Sequence, residues 1–205
     1  MKILLIGGSG NIGRAIRAEL SGRHEIIVAG RSHGDVRVDI EDERSIVEMY
    51  SRLPRLDAVA VATGGRNGHV APLAEMSAER YRVGLESKLL GQVNAVLHGV
   101  GQLADGGSFT LVGGAWQPQA IVPKISNVYM ANAALEAFVN AAAVELPRGL
   151  RINLVSPLLL TESEAEYGPL FRGVPLVDAR SVARAYSLSV EGAQTGQTYR
   201  LGQLD

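Results

Sequence analysis

The sequence predicts one α/β domain: a doubly wound parallel sheet of about seven strands in the order 3-2-1-4-5-6-7, covered by helices on both faces. Three observations carry this expectation. Short β-rich runs alternate with helical patterns along nearly the whole chain, and strands that alternate with helices pair in parallel through right-handed crossovers. The chain opens on a buried strand running straight through a glycine-rich turn into an amphipathic helix, Lys2-Ile3-Leu4-Leu5-Ile6-Gly7-Gly8-Ser9-Gly10-Asn11-Ile12-Gly13-Arg14-Ala15-Ile16. Its 205 residues, 46% hydrophobic and 20% charged, suffice for one sizeable core without a second domain.

The first strand is expected over Lys2 to Ile6. After it, Gly8, Gly10 and Gly13 satisfy G-x-G-x-x-G, whose glycines permit a tight turn, close approach of backbone to a pyrophosphate, and close packing of helix on strand. The following helix N-terminus offers free N–H groups to phosphate oxygens. Arg14 to Leu20 carries Ala15, Ile16 and Leu20 on one helical face. Strands follow at Glu25 to Ala29 and Val36 to Val38, then a helix at Ser45 to Leu53 with Ile46, Met49 and Leu53 at helical spacing. Asp57 to Val61 reads as the fourth strand and Ser108 to Val112 as the fifth, with one long helix, Ser77 to Leu103, between them. The helix Asn127 to Leu146 leads to strands at Leu150 to Val155 and Gln197 to Leu201. Gly64 to Gly68 and Thr161 to Val174 read as loops beside the carboxyl edge of the sheet, where ligands bind in such folds. Gly168-Pro169 and Gly173 make the second a short, open lid.

A net charge of −1 argues against nucleic acid or an anionic membrane as the main partner, since both call for a basic face. Without cysteine there is no disulfide or thiolate metal site. No apolar run reaches the roughly 18 residues that span a bilayer, and the apolar start at Ile3 lacks a signal-peptide layout, so a cytoplasmic protein is expected. His24, His33, His69 and His98 form no spaced ligand set, and no metal site is expected. Glu162, Glu164 and Glu166 read as a solvated loop or first helical turn, with selection of a cationic substrate as the alternative. Trp116, Gln117 and Gln119 follow strand 5 near the expected pocket mouth.

Several landmarks then fall in a familiar order. Ile6 to Gly13 is similar to a T-G-x-x-x-G-x-G turn, with Ile6 replacing Thr and Asn11 the middle Gly. Val38-Asp39-Ile40 matches a strand-3 end whose Asp meets adenine, and Ala60-Val61-Ala62-Thr63-Gly64-Gly65 stands in the place of N-N-A-G after strand 4. Arg148 to Pro157 is similar to a strand-6 signature, with Leu158 replacing the Gly that follows the proline, and Thr195-Gly196-Gln197 precedes the last strand. Together these segments resemble a short-chain dehydrogenase/reductase over essentially the whole chain, which implies a Rossmann-type three-layer domain that binds NAD(P). The resemblance puts the cofactor against Gly7, Ser9, Gly10, Asn11, Ile12 and Gly13, against Asp39 and Ile40, against Ala62, Thr63 and Gly64, and against Pro157. At the end of strand 2 the chain reads Ala29-Gly30-Arg31-Ser32. A guanidinium and a hydroxyl suit a 2′-phosphate, where an acidic residue would suit the ribose hydroxyls of NAD. NADP(H) is therefore expected. Asp35 nearby keeps NAD open, and Arg31 as a plain solvated residue is the alternative reading.

The family's usual chemistry needs a Tyr, a Lys four residues later and a Ser, and this sequence lacks that set. Aligning Ala133-Ala134-Leu135-Glu136-Ala137-Phe138 with the family's helix puts Asn132 at the Lys position and Val128 at the Tyr position. Tyr129 is one residue out of register, a rotation of about 100° on a helix, and reads as a packed ring. Strand 5 carries Gly113 and Gly114 where the family commonly has serines. Leu85-Glu86-Ser87-Lys88-Leu89-Leu90-Gly91 resembles the family's N-x-x-G and places Lys88 at the Asn position. Lys88 and Asn132 are thus the candidate catalytic pair, with polar roles exchanged across the pocket. Burial would lower the Lys88 pKa towards the working pH and suit it to proton donation. The alternatives are a lysine holding ribose hydroxyls and one that snorkels to solvent.

Two functional readings emerge. One is an NADP(H)-dependent oxidoreductase of atypical short-chain type, moving hydride between nicotinamide and a small carbonyl or alcohol. The other is a noncatalytic NADP(H)-binding sensor or regulatory protein on the same fold. The small residues of the helix Ala131 to Leu146 allow close packing, and a homo-oligomer, in the first instance a two-fold dimer, is expected.

Overall fold

The structure is a computed structural model and describes residues 1–64, 70–114 and 121–202. Strand β1 (Lys2–Ile6) lies in the middle of the sheet, with Ile3 to Ile6 at most 1% exposed. It pairs in parallel with β2 (Glu25–Gly30) on one side and β4 (Leu56–Val61) on the other. Both of its faces are covered, which is why it reads as an unbroken apolar run. Leu4 and Ile6 enter one core, Ile3 and Leu5 the other. With β3 (Val36–Arg37), β5 (Leu103–Val112), β6 (Arg151–Pro157) and β7 (Thr198–Leu201), the sheet has seven parallel strands in the order β3-β2-β1-β4-β5-β6-β7. The strand order and the three-layer arrangement agree with the sequence expectation. The order reverses between β1 and β4, the point where such sheets open a crevice at their carboxyl ends.

Helices α1 (Asn11–Leu20) and α7 (Ala179–Glu191) pack Ile16, Leu20, Val182, Tyr186 and Val190 against one face. On the other, α2 (Glu43–Ser51), α4 (Gly91–Gly99) and α5 (Ser126–Glu145) contribute Ile46, Met49, Ala95, Val96, Leu135 and Val139. Asp42, Ser77 and Asp178 cap α2, α3 (Ala78–Gly84) and α7, each side chain accepting a backbone N–H. No helix among the described residues is long and apolar enough to cross a membrane.

Four local features differ from the sequence expectation. The helix expected over Ser77 to Leu103 is α3 and α4 joined by a π turn at Leu85–Leu90, where Gly91 N–H bonds to Glu86 O, five residues back. Strand β5 begins at Leu103 rather than Ser108: Leu103 pairs with Leu56, and the register shifts before Ser108 meets Ala58. Helix α7 had no counterpart among the expected helices. The loop expected over Thr161 to Val174 contains a 3-10 turn at Thr161–Ser163 and a short helix, α6 (Glu164–Tyr167), and Glu162 in that turn accepts the Ala179 N–H at 3.1 Å.

Candidate functional site

The turn after β1 is shaped by close backbone approach. Gly7 has φ +93°, and a Cβ there would lie 2.8 Å from Ala62 O and from Thr63 Cβ. A Cβ on Gly13 would lie 2.2 Å from Gly7 O, so α1 seats directly on the turn. Gly10 caps α1 without a side-chain bond, and the first turn of α1 holds no acidic residue. The leading N–H groups of that helix therefore point out of the turn with its positive dipole end, a cradle suited to a phosphate group. Arg14, which sequence reading missed, braces the loop: its guanidinium donates to Ser9 O and to Asn11 Oδ1, both at 2.6 Å.

Beside this turn, at the carboxyl ends of β1, β2 and β3, opens a cleft of about 460 Å³. It brings together seven of the expected cofactor residues: Gly7, Ser9, Arg31, Ser32, Asp39, Ile40 and Thr63. Arg31 and Ser32 are exposed at its rim. The Asp39 carboxylate accepts the Glu41 N–H at 3.1 Å and its own N–H donates to Ser45 Oγ at 2.9 Å, which holds the Asp39–Asp42 turn open to the cleft. Asp35 accepts the Val28 N–H at 2.9 Å, so its carboxylate is engaged with strand β2. Gly10, Asn11, Ile12, Gly13, Ala62, Gly64 and Pro157 do not line this cleft: the first four build the turn and the start of α1, while Ala62 and Gly64 follow β4 and Pro157 ends β6. Ser87, His33 and Glu41 line it without having been singled out. Only Ser87 had a sequence signal, as the neighbour of Lys88.

The second part of the site lies at the ends of β4 and β5. Lys88 is half-buried; its stem crosses Gly64, where a Cβ would fall 2.9 Å from Lys88 Cδ, and its ammonium donates to Gly113 O at 2.7 Å. Burial alone pulls its pKa down to about 8. Asn132 is buried on α5 against Gly114, where a Cβ would be 3.1 Å from its Nδ2. Its Oδ1 is buried and has no hydrogen-bond partner among the described residues. The two candidate catalytic residues thus meet consecutive residues, Gly113 and Gly114, at the carboxyl end of one strand. The glycines have a steric reason: a Cβ on Gly113 would lie 3.1 Å from Ser156 Oγ and 3.2 Å from Leu154 Cδ2. The space a serine would take there is filled from β6, and the Ser156 hydroxyl donates to Gly114 O at 2.9 Å.

Tyr129 is a packed ring, as its register suggests: it is buried, accepts the Val122 N–H at 2.7 Å, and burial pushes its phenol pKa upward while that bond pulls the other way. His24 and His98 pair with Glu191 and Glu43 at 2.7 and 2.9 Å, and among the described residues no cluster of three His, Asp or Glu could hold a metal ion. Trp116, Gln117, Gln119 and His69 lie outside the described residues.

Comparison with known proteins places this geometry. A family model described as enoyl-(acyl carrier protein) reductase matches residues 14–175. Among curated proteins no match is found. Among solved structures, the protein lin1944 from Listeria innocua is 46% identical with a TM-score of 0.93, covering 98% of this chain and 99% of that one. A small-chain dehydrogenase is 26% identical with a TM-score of 0.82, covering 98% and 95%. Another, in complex with NADPH, is 24% identical with a TM-score of 0.85, covering 98% and 96%, and at that identity shows a shared fold. With a matching family model over most of its length and a sheet that follows the family's strand order, the chain belongs to the short-chain dehydrogenase/reductase family.

Proposed function

We propose that the chain is an NADP(H)-dependent oxidoreductase that moves hydride between nicotinamide and a small carbonyl or alcohol. The observation that carries this is the half-buried Lys88 ammonium held at the end of β5 beside the Asn132 amide, on the same sheet edge as the cleft rimmed by Arg31. The residues present fit the dinucleotide. Its pyrophosphate suits the uncapped start of α1 at Gly10, with Asn11, Ile12 and Gly13; its adenine suits Asp39 and Ile40; and its 2′-phosphate suits Arg31 and Ser32. Ala62, Thr63 and Gly64 follow β4 and Pro157 ends β6, on either side of the β5 end that carries the second half of the site.

When bound, nicotinamide supplies or accepts the hydride at the substrate carbon. Lys88 Nζ supplies the matching proton to the carbonyl oxygen, or takes it back from the alcohol. With a pKa of about 8 the amine is mostly protonated at neutral pH and gives up its proton more readily than an ordinary lysine. Asn132, packed against Gly114, fixes the strand end beside which Lys88 acts. If reduction is limited by the protonated form, its rate falls as pH rises through about 8.

The test is a parallel titration of the purified protein with NADPH and NADH, with Arg31→Ala and Lys88→Ala beside it. Tighter binding of NADPH, lost in Arg31→Ala, is expected, followed by carbonyl reduction that Lys88→Ala abolishes. Binding to neither cofactor overturns the proposal and the sensor reading with it; binding with no turnover of any carbonyl leaves the sensor. That second reading is favoured by the bond from Lys88 to Gly113 O, which engages the ammonium with the protein itself.

The expected homodimer is also retained as a proposal. Leu97 and Val144, 60% and 86% exposed, leave apolar side chains in solvent on α4 and α5. Mass measurement across a dilution series checks it, and a monomer at every concentration overturns it.

A further inference from the structure

The π turn that carries Lys88 is held to the sheet by a residue no motif marks. Gln92, four positions on, is fully buried. Its Nε2 donates to Val112 O at 3.0 Å and to Lys88 O at 2.8 Å, and its Oε1 accepts the Val112 N–H at 2.9 Å. One amide therefore satisfies both backbone groups of the last residue of β5 and a carbonyl of the turn, so every hydrogen bond it makes bears on the place where Lys88 meets Gly113. A π turn inserts one residue into a helix and rotates the rest of that helix by about 100°. It needs outside support, because its carbonyls fall out of line with their usual partners. Gly91 adds steric support: a Cβ there would lie 2.7 Å from Ile40 O.

We infer that Gln92 is the positioning residue of this site: its side chain ties the π turn to the end of β5 and so holds Lys88 over Gly64 with its ammonium on Gly113 O. The inference rests on the reading that Lys88 lies in the site, but not on turnover or on any cofactor being bound. Without the Gln92 amide, the Val112 peptide and the Lys88 carbonyl lose their partners, and the segment gains by relaxing to a regular helix that swings Lys88 towards solvent.

The experiment follows the protonation of Lys88 itself. The full-length protein is labelled with trace isotopic acetic anhydride across pH 6 to 11, and mass spectrometry of the peptide containing Lys88 gives the midpoint of its reactivity. The expected wild-type midpoint is about 8. Gln92→Met, similar in volume and unable to make the bonds, is expected to move it up by about two pH units towards the ordinary lysine value near 10.4, so that neutral amine at pH 8 falls on the order of 100-fold. Gln92→Asn keeps the amide, loses its reach, and decides the matter if Gln92→Met does not fold. Gly99→Ala destabilises the same helix elsewhere, since its Cβ would meet Tyr50 Oη at 2.6 Å and Phe109 Cε1 at 2.8 Å; the Lys88 midpoint is expected to stay put. An unchanged midpoint in a folded Gln92 variant, or an equal shift in Gly99→Ala, overturns the inference. A failure of NADPH to bind would overturn the proposed function and leave this result readable.

Discussion

Replacing Gly13 by Ala puts a methyl group 2.2 Å from Gly7 O and 2.6 Å from Gly8 Cα. Non-bonded carbon contacts are at ease at roughly 3.5–4.0 Å. Both opposing atoms are backbone, so no side chain can rotate away, and α1 has to part from the turn that β1 feeds. Overpacking of this kind costs about 1–3 kcal/mol, and the rigid opposition puts Gly13→Ala at the upper end. Alanine's better helix propensity returns at most about 1 kcal/mol, which leaves a net loss near 2 kcal/mol. Gly10→Ala is the informative contrast. Its nearest neighbour would be Gly7 O at 3.8 Å, its φ of −73° is open to any residue, and the weaker N-cap preference of alanine costs under about 1 kcal/mol. Urea unfolding separates the two: with a slope of about 1–3 kcal/mol per molar, Gly13→Ala is expected to lower the midpoint by roughly 1 M and Gly10→Ala by less than half as much. NADPH titration should reverse the order of interest, with Gly10→Ala folded but weakened about tenfold or more, because its methyl stands where backbone and pyrophosphate meet. Equal urea midpoints would refute the packing argument. Unchanged NADPH affinity in Gly10→Ala would refute the placement of the pyrophosphate.

Three further outcomes are expected. Lys88 has a folded pKa of about 8 against about 10.4 unfolded, so between those values the unfolded chain binds more protons and stability rises with pH; wild type should gain on Lys88→Met between pH 8 and 10, and a constant gap in urea midpoints would count against the burial of this amine. Glu191 is held at about 2 chiefly by its hydrogen bond from Arg23, with Ser187 and His24 adding to it. Its depressed pKa contributes stability that is whole above about 4.3 and lost as pH falls towards 2. Because the side chain is 34% exposed, Glu191→Gln should cost no more than about 1 kcal/mol at pH 7, a difference that thermal melts should show vanishing near pH 2. Tyr186, fully buried on α7, donates to Val61 O at 2.6 Å and fastens that helix to the end of β4; Tyr186→Phe should lower stability by about 1–2 kcal/mol, and an unchanged unfolding midpoint would show that the carbonyl finds another donor.

How far the sequence reached depends on the range over which each feature is determined. Strand β1 was legible because burial on both faces leaves an unbroken apolar run, and the turn after it because Gly7 and Gly13 meet the constraint within a few residues of one another. Helix α7 carries its own local signals, Asp178 as cap, Val182, Tyr186 and Val190 at helical spacing, and Arg180 and Arg184 on the exposed side, so its absence from the sequence expectation has no structural reason. The departures in the site are of another kind. Nothing local in Leu85-Glu86-Ser87-Lys88-Leu89-Leu90 favours a π turn over an ordinary helix. The turn has its partners elsewhere: Gly91 against Ile40, and Gln92 against Val112 across 20 positions. Likewise the missing serine at Gly113 is a matter of space, already filled by Ser156 and Leu154 from the neighbouring strand. Matching motifs one at a time therefore reads the loss of Tyr, Lys and Ser as three deletions. In three dimensions the changes converge on one strand end, where Lys88 arrives from the π turn, Asn132 from α5 and the Ser156 hydroxyl from β6. Polar groups drawn from three separate elements meet at two consecutive glycines, and that convergence is the physical reason to look for chemistry there.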